Sequence, residues 1–374
     1  MTDFYVLSQR QLRQDPAIGC LIEFEDVLIE ACSATLITPT WIKQSRLEKL
    51  SPWHGPYRVE IPNATTNSEQ VLIITGMDWG ICEVLKVIPE WRKRFDIVCV
   101  YILDAFMPRL PRHKSVSRFS RLVSTFDHIF IPMTDCAETY QQAFEIPVSF
   151  LPYACNVTKF GSNSFSRPID VIGYGRQHTL HSQLLSDHYN SLESDRLYYF
   201  TSHMNIGNVN DFYAHRSLFW KILQRSKIAL SYDPISTNPE RFPFSFITQR
   251  WFECLTAGCL VVGKRPNCSE ADYLLNWQDS TIEMPDDSDN VIPFLEDLLA
   301  DKERLNSAHQ RNYLYCLASH DWCHRIAEML DRLSLDHPEP LQRSLEGLNE
   351  IHARTQRFSD YLELDKMLSY AKFN

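Results

Sequence analysis

Residues 245–263 read Ser-Phe-Ile-Thr-Gln-Arg-Trp-Phe-Glu-Cys-Leu-Thr-Ala-Gly-Cys-Leu-Val-Val-Gly, and they are more informative about the fold than any other part of the chain. Ser245 is typical of a residue that caps the start of a helix, and Gly258 is typical of the left-handed residue that ends one. The stretch therefore predicts a helix of about three turns. The apolar residues 259–262 that follow predict a short, buried strand of a parallel sheet.

One carboxylate lies within this predicted helix. Most sides of the helix are apolar, but Gln249, Arg250, Glu253 and Thr256 fall on one stripe at i, i+3 and i+4 spacing. A carboxylate in an apolar setting needs a partner. Two interpretations stay open here: Glu253 pairs with Arg250 at a solvated edge, or it binds a ligand.

Length and composition indicate a soluble protein with two domains. The chain has 374 residues, of which 44% are hydrophobic and 22% charged, and this is more than one ordinary core requires. The net charge of −10 argues against a nucleic-acid surface. The longest apolar runs have the length of a strand, so we expect no membrane span. The 11 cysteines show no Cys-x-x-Cys spacing and no signal peptide is visible, which predicts reduced core thiols and a cytoplasmic location.

Apolar runs of strand length alternate with helical patterns along residues 1–152. Strands are predicted at residues 4–7, 34–37, 71–75, 97–103, 128–131 and 148–151, and helices at residues 20–32, 81–95 and 136–144. The alternation predicts an open parallel sheet of about six strands in one Rossmann-like domain.

The same alternation resumes after a connection at residues 152–168 that is rich in Asn, Ser, Gly and Pro. Strands are predicted at residues 169–172, 197–200, 227–231, 259–262 and 281–284, and helices at 215–225, 291–299 and 302–317. Residues 168–333 are therefore predicted to form a second Rossmann-like domain. The helical patterns at residues 321–333 and 340–370 carry no strands, and we expect part of residues 334–374 to pack back against the first domain.

Four motifs of residues 146–333 resemble one known family. Residues 150–160 resemble its domain crossover, Asp170-Val-Ile-Gly-Tyr-Gly-Arg176 the Gly-Arg opening of its donor domain, Arg250-Trp-Phe-Glu-Cys-Leu-Thr-Ala-Gly258 its Arg-x-Phe-Glu helix, and Asp321-Trp-Cys-His-Arg325 the start of its closing helix. The family is the nucleotide-sugar glycosyltransferases of the GT-B fold, more narrowly the glycosyl transferase group 1 superfamily and its CgeB-like branch. The resemblance implies an α/β protein with two Rossmann-like domains facing a cleft and C-terminal helices crossing back to the first domain.

The second domain has the groups that a nucleoside diphosphate requires. A diphosphate binds backbone amides at a helix N-terminus and a cation, and a ribose diol needs a hydrogen-bond acceptor. In the family, the glutamate matching Glu253 holds the ribose hydroxyls. The residues assigned to donor binding are Gly173, Gly175, Arg176, Ser245, Phe246, Ile247, Thr248, Arg250, Glu253 and Lys264. A plain tight turn also explains Gly173 and Gly175.

The chain departs from the family pattern at two positions. Ser245 replaces a second glutamate, the one usually credited with touching the transferred sugar, and Asp233 or Glu240 can supply another carboxylate. Turn formation explains the loop that holds both equally well. His181 replaces a phosphate-binding lysine, and a solvated helix histidine is the simpler interpretation of it.

Two aspartates follow the strands expected to end at a ligand site in the first domain. Asp78 and Asp104 are the candidates for orienting or deprotonating an acceptor hydroxyl, and helix capping explains them equally well. His54 is a weaker candidate. The basic residues near 109–121 can meet an anionic acceptor or membrane headgroups, so peripheral membrane contact stays open.

These observations predict a glycosyltransferase that moves a sugar from a nucleoside diphosphate-sugar to an acceptor hydroxyl on a glycan, a lipid or a small molecule. The superfamily resemblance implies retention of anomeric configuration. No cluster of His and Asp has metal-ligand spacing, so we expect neither a metal nor a cofactor besides the donor. The alternatives are a nucleotide-sugar epimerase on the same scaffold and a non-catalytic binding protein, which the serine at position 245 favours.

Overall fold

A computed structural model describes residues 2–13, 15–43, 56–61, 68–105, 116–201 and 209–371. The chain divides into two compact units. The first comprises Met1–Pro152, Gly207–Phe212 and Arg325–Gln342, and the second comprises Tyr153–Ile206, Tyr213–His324 and Arg343–Asn374. The C-terminal residues thus contribute to both units, because residues up to Gln342 cluster with the first and the following ones with the second.

A six-stranded parallel sheet forms the core of the first unit. Its strand order is β2-β1-β5-β6-β7-β8, and β3 and β4 form a separate antiparallel pair. The strands are β1 (Thr2–Leu7), β2 (Thr35–Ile37), β3 (Thr40–Trp41), β4 (Tyr57–Arg58), β5 (Glu69–Gly76), β6 (Ile97–Ile102), β7 (His128–Ile131) and β8 (Val148–Phe150). Both β5 and β6 are buried along almost their whole length, as expected for strands covered on two faces. The predicted six-stranded sheet is confirmed.

Helices α1 (Gly19–Cys32), α2 (Val116–Val123) and α3 (Thr134–Ala143) accompany this sheet. The single helix predicted at residues 81–95 is wrong. Two 3-10 helices, Trp79–Val87 and Trp91–Arg94, replace it. Ile88 between them is extended, with φ −101° and ψ 106°, as a residue before proline prefers. Pro89 therefore prevents one continuous α-helix.

A five-stranded parallel sheet forms the core of the second unit, in the order β10-β9-β11-β12-β13. The strands are β9 (Ile169–Tyr174), β10 (Tyr198–Thr201), β11 (Ser226–Tyr232), β12 (Leu260–Lys264) and β13 (Ile282–Glu283). Strand β11 is central and pairs with both β9 and β12. Apolar side chains of the strands and of flanking helices form one buried cluster.

Among the described residues after Pro152, ten α-helices accompany these strands. They are α4 (Val157–Phe160), α5 (Thr179–Tyr189), α6 (Phe212–Leu223), α7 (Pro234–Thr237), α8 (Gln249–Thr256), α9 (Ser269–Leu274), α10 (Val291–Ala300), α11 (Lys302–Ser319), α12 (Trp322–Arg332) and α13 (Glu339–Ala371). Gly258 has φ +75°, which confirms the predicted left-handed end of the helix before β12.

Three side chains hold the ends of these elements together within the second unit. Arg167 is buried, and its guanidinium donates to the carbonyls of Ser162, Ser164, Ser226 and Ala257 at 2.8 to 3.2 Å. No carboxylate pairs with it among the described residues.

Asp321 and His309 are the other two side chains that hold ends of elements together within the second unit. Asp321 accepts from the backbone N–H groups of Val157 and Cys323, so one carboxylate caps both α4 and α12. The Nε2 of His309 donates to the carbonyl of Lys227 at 3.1 Å.

All 11 cysteines are free, and ten are buried, with Cys268 partly exposed. In the part of the chain that the structure describes, no helix combines the length and the hydropathy needed to cross a membrane.

Candidate functional site

Three strands of the second unit end side by side at one edge of the sheet. Strand β9 ends at Tyr174, and the register pairs Tyr232 at the end of β11 with Lys264 at the end of β12. Open α/β sheets bind ligands beyond this carboxyl edge. Most residues that the sequence assigns to donor binding lie at this edge or on α8 and the loop before it.

Two protein side chains donate hydrogen bonds to the Glu253 carboxylate. Its side chain is buried, with 5% of the residue exposed. The guanidinium of Arg216, on α6, donates to Oε1 at 2.8 Å, and the hydroxyl of Tyr174 donates to Oε2 at 3.0 Å. Burial raises the pKa of Tyr174 well above its usual range, so the hydroxyl keeps its proton and donates. Each carboxylate oxygen therefore has one protein donor and one lone pair left over.

Arg250 is not the partner of Glu253, so the interpretation of an Arg250–Glu253 pair is wrong. The Arg250 guanidinium donates to the carbonyl of Arg176 at 2.8 Å and stacks over the Tyr174 ring, 5.2 Å from its centroid. The pair is formed instead with Arg216, 37 positions earlier in the chain. A spacing rule within one helix could not indicate a partner on another helix.

The helix that carries Glu253 begins later than the sequence predicts. Helix α8 has eight residues, and its N-cap is Thr248, which has φ −87° and ψ 162°. Ser245 does not cap it. The amides of Phe246 and Ile247 thus precede the helix, and their side chains are buried. The free amides at its N-terminus belong to the first helical residues, Gln249 and Arg250.

Ser245 is bound instead to Asp233. Its Oγ donates to Asp233 Oδ2 at 2.5 Å. Asp233 follows β11 directly, with 3% of its surface exposed, and its Oδ1 accepts from the backbone N–H of Ile235 at 3.3 Å. The backbone N–H of Asp233 donates to the carbonyl of Lys264 at 2.8 Å. Asp233, which the sequence offers as an alternative carboxylate, therefore lies beside Ser245, where the chain departs from the family pattern.

The two glycines of the Gly-x-Gly motif lie in different elements. Gly173 lies within the strand, and a Cβ there would meet the Tyr198 hydroxyl at 2.6 Å, so packing alone requires its small size. Gly175 has φ +66°, which favours glycine in the turn. Arg176 is exposed, with its guanidinium carbon 4.6 Å from the centroid of the Phe242 ring.

His181, which replaces the family's lysine, and Lys264, which is assigned to donor binding, both have defined surroundings. His181 is buried, so the interpretation of a solvated helix histidine is wrong. Its Nδ1 lies 3.0 Å from the Tyr232 hydroxyl, and burial, with His178 nearby, lowers its pKa to about 4. It is therefore neutral near pH 7. The ammonium group of Lys264 is half exposed and lies 3.4 Å from Glu283 and 3.7 Å from Asp286.

The two aspartates of the first unit follow neighbouring strands. Asp78 caps the 3-10 helix Trp79–Val87 by accepting from the Gly80 N–H, and lies 3.7 Å from Arg13. The backbone N–H of Asp104 donates to the Met77 carbonyl at 2.6 Å, which joins the ends of β5 and β6. His54 and residues 109–115 of the basic run lie outside the described residues.

Two Rossmann-like units with parallel sheets define the GT-B glycosyltransferase fold. The structure of HepE from Anabaena in complex with UDP and glucose is similar, with a TM-score of 0.54 and 10% identity, over 89% of this chain and 99% of that one. TarM from S. aureus gives a TM-score of 0.45 and 9% identity, over 70% and 55% of the two chains.

Residues 195–331 match a family model described as glycosyl transferase-like. A search of curated protein sequences finds no relative. The GT-B fold predicted from the sequence is thus confirmed, and residues 195–331 are similar to a glycosyl transferase-like family. The CgeB-like branch and the roles of individual residues stay predictions.

Sequence reasoning missed Arg216, and it quoted Tyr174 without giving it a role. A signal for Arg216 was present, because it lies among Phe212, Phe219 and Trp220 on one helix. An arginine on such an aromatic helix face needs an anion. Its guanidinium carbon lies 4.5 Å from the Phe219 ring centroid.

Proposed function

We propose that the protein transfers a sugar, most simply a hexose, from a nucleoside diphosphate donor to an acceptor hydroxyl. The observation that carries this proposal is the geometry of Glu253. Each of its two carboxylate oxygens accepts one hydrogen bond, from Arg216 or from Tyr174, which leaves one lone pair on each. Two adjacent acceptors match the vicinal hydroxyls of a ribose. The family match of residues 195–331 and the GT-B fold support the same class of reaction.

The diphosphate is assigned to groups near the same edge. Arg176 is exposed at the end of the β9 turn, and the free amides of Gln249 and Arg250 start α8, where the helix dipole favours an anion. Lys264 adds a second cation at the end of β12. These groups stabilise the negative charge that builds on the leaving diphosphate, so we expect transfer without a protein-bound metal. The superfamily resemblance favours retention of configuration.

Asp104 and Asp78 are the proposed acceptor-side groups. Both follow strands of the first unit's sheet, at the edge where ligands bind in open α/β sheets. Either carboxylate can accept a proton from, or orient, an attacking hydroxyl. The acceptor class is a glycan, a lipid or a small molecule, and the proposed location is the cytoplasm.

Calorimetry with UDP, GDP and ADP tests the donor site. Glu253→Gln keeps the size of the side chain and removes its charge, so we expect it to weaken binding of the preferred diphosphate by about 1 to 3 kcal/mol. Asp170→Asn is the matched control. Asp170 is also buried and paired, with Lys227 at 2.5 Å, but it lies at the opposite end of β9.

The control variant should bind like the wild-type protein. Equal affinities for the wild-type protein and Glu253→Gln, in folded samples, would remove Glu253 from the site. Turnover assays with the sugar conjugates complete the test. Transfer to an acceptor supports the proposal, epimer formation without an acceptor indicates an epimerase, and binding without turnover indicates a binding protein.

A further inference from the structure

The strand order of the first unit's sheet points to one place along its carboxyl edge. From β1 the chain runs to β2 on one side, and it then returns to β5 on the other side of β1. Open parallel sheets bind ligands where the order reverses in this way, because the connections there leave in opposite directions. The crevice of the first unit is therefore expected between the segment that follows β1 and the segment that follows β5.

An ion pair joins these two segments. Nη1 of Arg13, after β1, lies 3.7 Å from Oδ2 of Asp78, which comes shortly after β5. The backbone N–H of Arg13 donates to the carbonyl of Gln9 at 3.1 Å, so Gln9 and Arg13 belong to one turn. Asp104 follows β6, the next strand along the sheet. Of the two acceptor-side aspartates, Asp78 is thus the one that borders the point where the strand order reverses.

The residues on both sides of Gln9 are fixed by one buried carboxylate. Glu25, on α1, is fully buried. It accepts from the Ser8 hydroxyl at 2.6 Å and from Nε of Arg10 at 2.9 Å. The hydroxyl of Thr75, on β5, donates to its other oxygen at 2.5 Å. The backbone N–H of Arg10 also donates to Ser8 Oγ at 3.0 Å. The backbone that carries Gln9 is therefore held in one position before any ligand binds.

The side-chain amide of Gln9 is buried without a partner. The residue is 4% exposed, and among the described residues its Nε2 has no hydrogen-bond acceptor. Buried amides are ordinarily paired, because an unpaired N–H group costs free energy. Gln70, at the opposite end of the sheet, is 7% exposed, and its Nε2 donates to Asp3 at 2.9 Å and to the Ser68 carbonyl at 3.0 Å. Gln9 instead keeps a donor unpaired where the strand order predicts a ligand.

The charges around Gln9 indicate the chemistry of that ligand. The two arginines that follow it, Arg10 and Arg13, are balanced by four carboxylates, those of Asp15, Glu25, Asp26 and Asp78. These six groups hold no excess of positive charge, which disfavours a phosphate or carboxylate and favours an uncharged ligand. An amide N–H can donate to a hydroxyl oxygen, and the half-exposed Asp78 carboxylate can accept from a second hydroxyl. This pair of groups suits a molecule with several hydroxyls.

We propose that Gln9 donates a hydrogen bond from Nε2 to a hydroxyl of an uncharged sugar, and that this sugar is the acceptor of the transfer reaction. The inference rests on the proposed function and narrows its acceptor class. It also makes Gln9 a residue that determines specificity, since it selects a hydroxyl over a charged group at this point.

A structural role for Gln9 is the competing explanation, and stability separates the two. Gln9→Met keeps the length of the side chain and removes an N–H group that has no protein partner, so the thermal midpoint should stay the same or rise. Gln70→Met is the matched control. It removes a buried amide that has two protein partners, so its midpoint should fall.

Turnover assays test the acceptor. The donors are UDP-glucose, GDP-mannose and ADP-glucose, and the acceptors are glucose, mannose and N-acetylglucosamine, each compared with its 6-phosphate. We expect a higher kcat/KM for an uncharged sugar than for its phosphate. Gln9→Met should raise the KM for that sugar by roughly three- to tenfold, as for one lost hydrogen bond, with an unchanged dissociation constant for the diphosphate. Gln70→Met should leave this KM unchanged.

The remaining outcomes distinguish the inference from the proposed function. A wild-type protein that binds a diphosphate but prefers the phosphorylated sugars, or uses none of the six acceptors, overturns the inference alone. An unchanged KM in folded Gln9→Met also overturns it. A wild-type protein that binds neither UDP, GDP nor ADP overturns the proposed function itself. Should Gln9→Met fail to fold, Gln9→Ala, which is too small to crowd its neighbours, provides the same comparison.

Discussion

A single methyl group at Gly258 should destabilise the second unit. The φ of +75° at this position is strained for any residue with a Cβ. An added Cβ would also lie 2.3 Å from the carbonyl oxygen of Ser162 and 2.7 Å from Nη2 of Arg167. The first of these is backbone held by Arg167, so it cannot move away freely.

The magnitude for Gly258→Ala follows from two contributions. The left-handed conformation costs about 1 to 2 kcal/mol. Forcing a methyl group into an occupied space costs about 1 to 3 kcal/mol. We therefore expect the free energy of unfolding to fall by about 2 to 5 kcal/mol. Gly258→Asn separates the contributions, because asparagine tolerates the left-handed region but brings the same Cβ.

Urea unfolding followed by tryptophan fluorescence measures the effect. Gly347→Ala is the control in the same unit, because it lies inside α13 and an added Cβ meets nothing within 4 Å. Alanine is favoured over glycine in a helix by about 1 kcal/mol, so this variant should be slightly more stable. An unchanged midpoint for Gly258→Ala, or changes of the same sign in both variants, would refute the reasoning.

Two further predictions concern buried side chains of the second unit. His309 has 2% of its surface exposed, and burial lowers its pKa to about 3. The unfolded chain, with a histidine pKa near 6.5, takes up the proton first, so stability falls as the pH drops below about 6.5. His309→Gln keeps a donor and cannot titrate, and it should reduce the stability lost between pH 7.5 and pH 5 by about 2 kcal/mol, whereas an unaltered pH dependence of urea midpoints would contradict this. Arg167→Met leaves four carbonyls without their donor, two of them buried, so the free energy of unfolding should fall by about 3 to 5 kcal/mol, with Arg167→Lys in between. A methionine variant as stable as the wild-type protein would show that water replaces the guanidinium.

The strands were predictable because strands buried on both faces read as continuous apolar runs. Residues 97–103 are an example, and β6 covers Ile97–Ile102. The start of α8 was not predictable from local residues. Ser245 has the side chain of a good cap, but its hydroxyl is bound to Asp233, 12 positions earlier. The contact of Ser245 with Asp233, at the end of β11, thus overrides the preference of serine for capping a helix.

The candidate site shows the same limit. The position of Glu253 on a helix before a buried strand followed from the sequence. Its partners did not, because Tyr174 and Arg216 come from a different strand and a different helix. His181 was misjudged for a related reason: its burial depends on the neighbouring β11, whose Tyr232 hydroxyl contacts it. Contacts between distant elements are set by the packed fold and leave no regular spacing in the chain.

The first unit is completed by residues that are made well after its sheet. Its sheet ends at Phe150, but Arg325–Gln342 belong to the same unit and contribute the buried side chains Ile326, Met329 and Leu330. At 5 to 20 residues per second, a ribosome needs roughly 10 to 35 seconds to reach residue 325 after residue 152. During that interval the nascent amino-terminal half has an uncovered apolar face, a natural place for a chaperone to bind. Translation stalled before residue 325 should leave a product that aggregates even though its whole first sheet has been made.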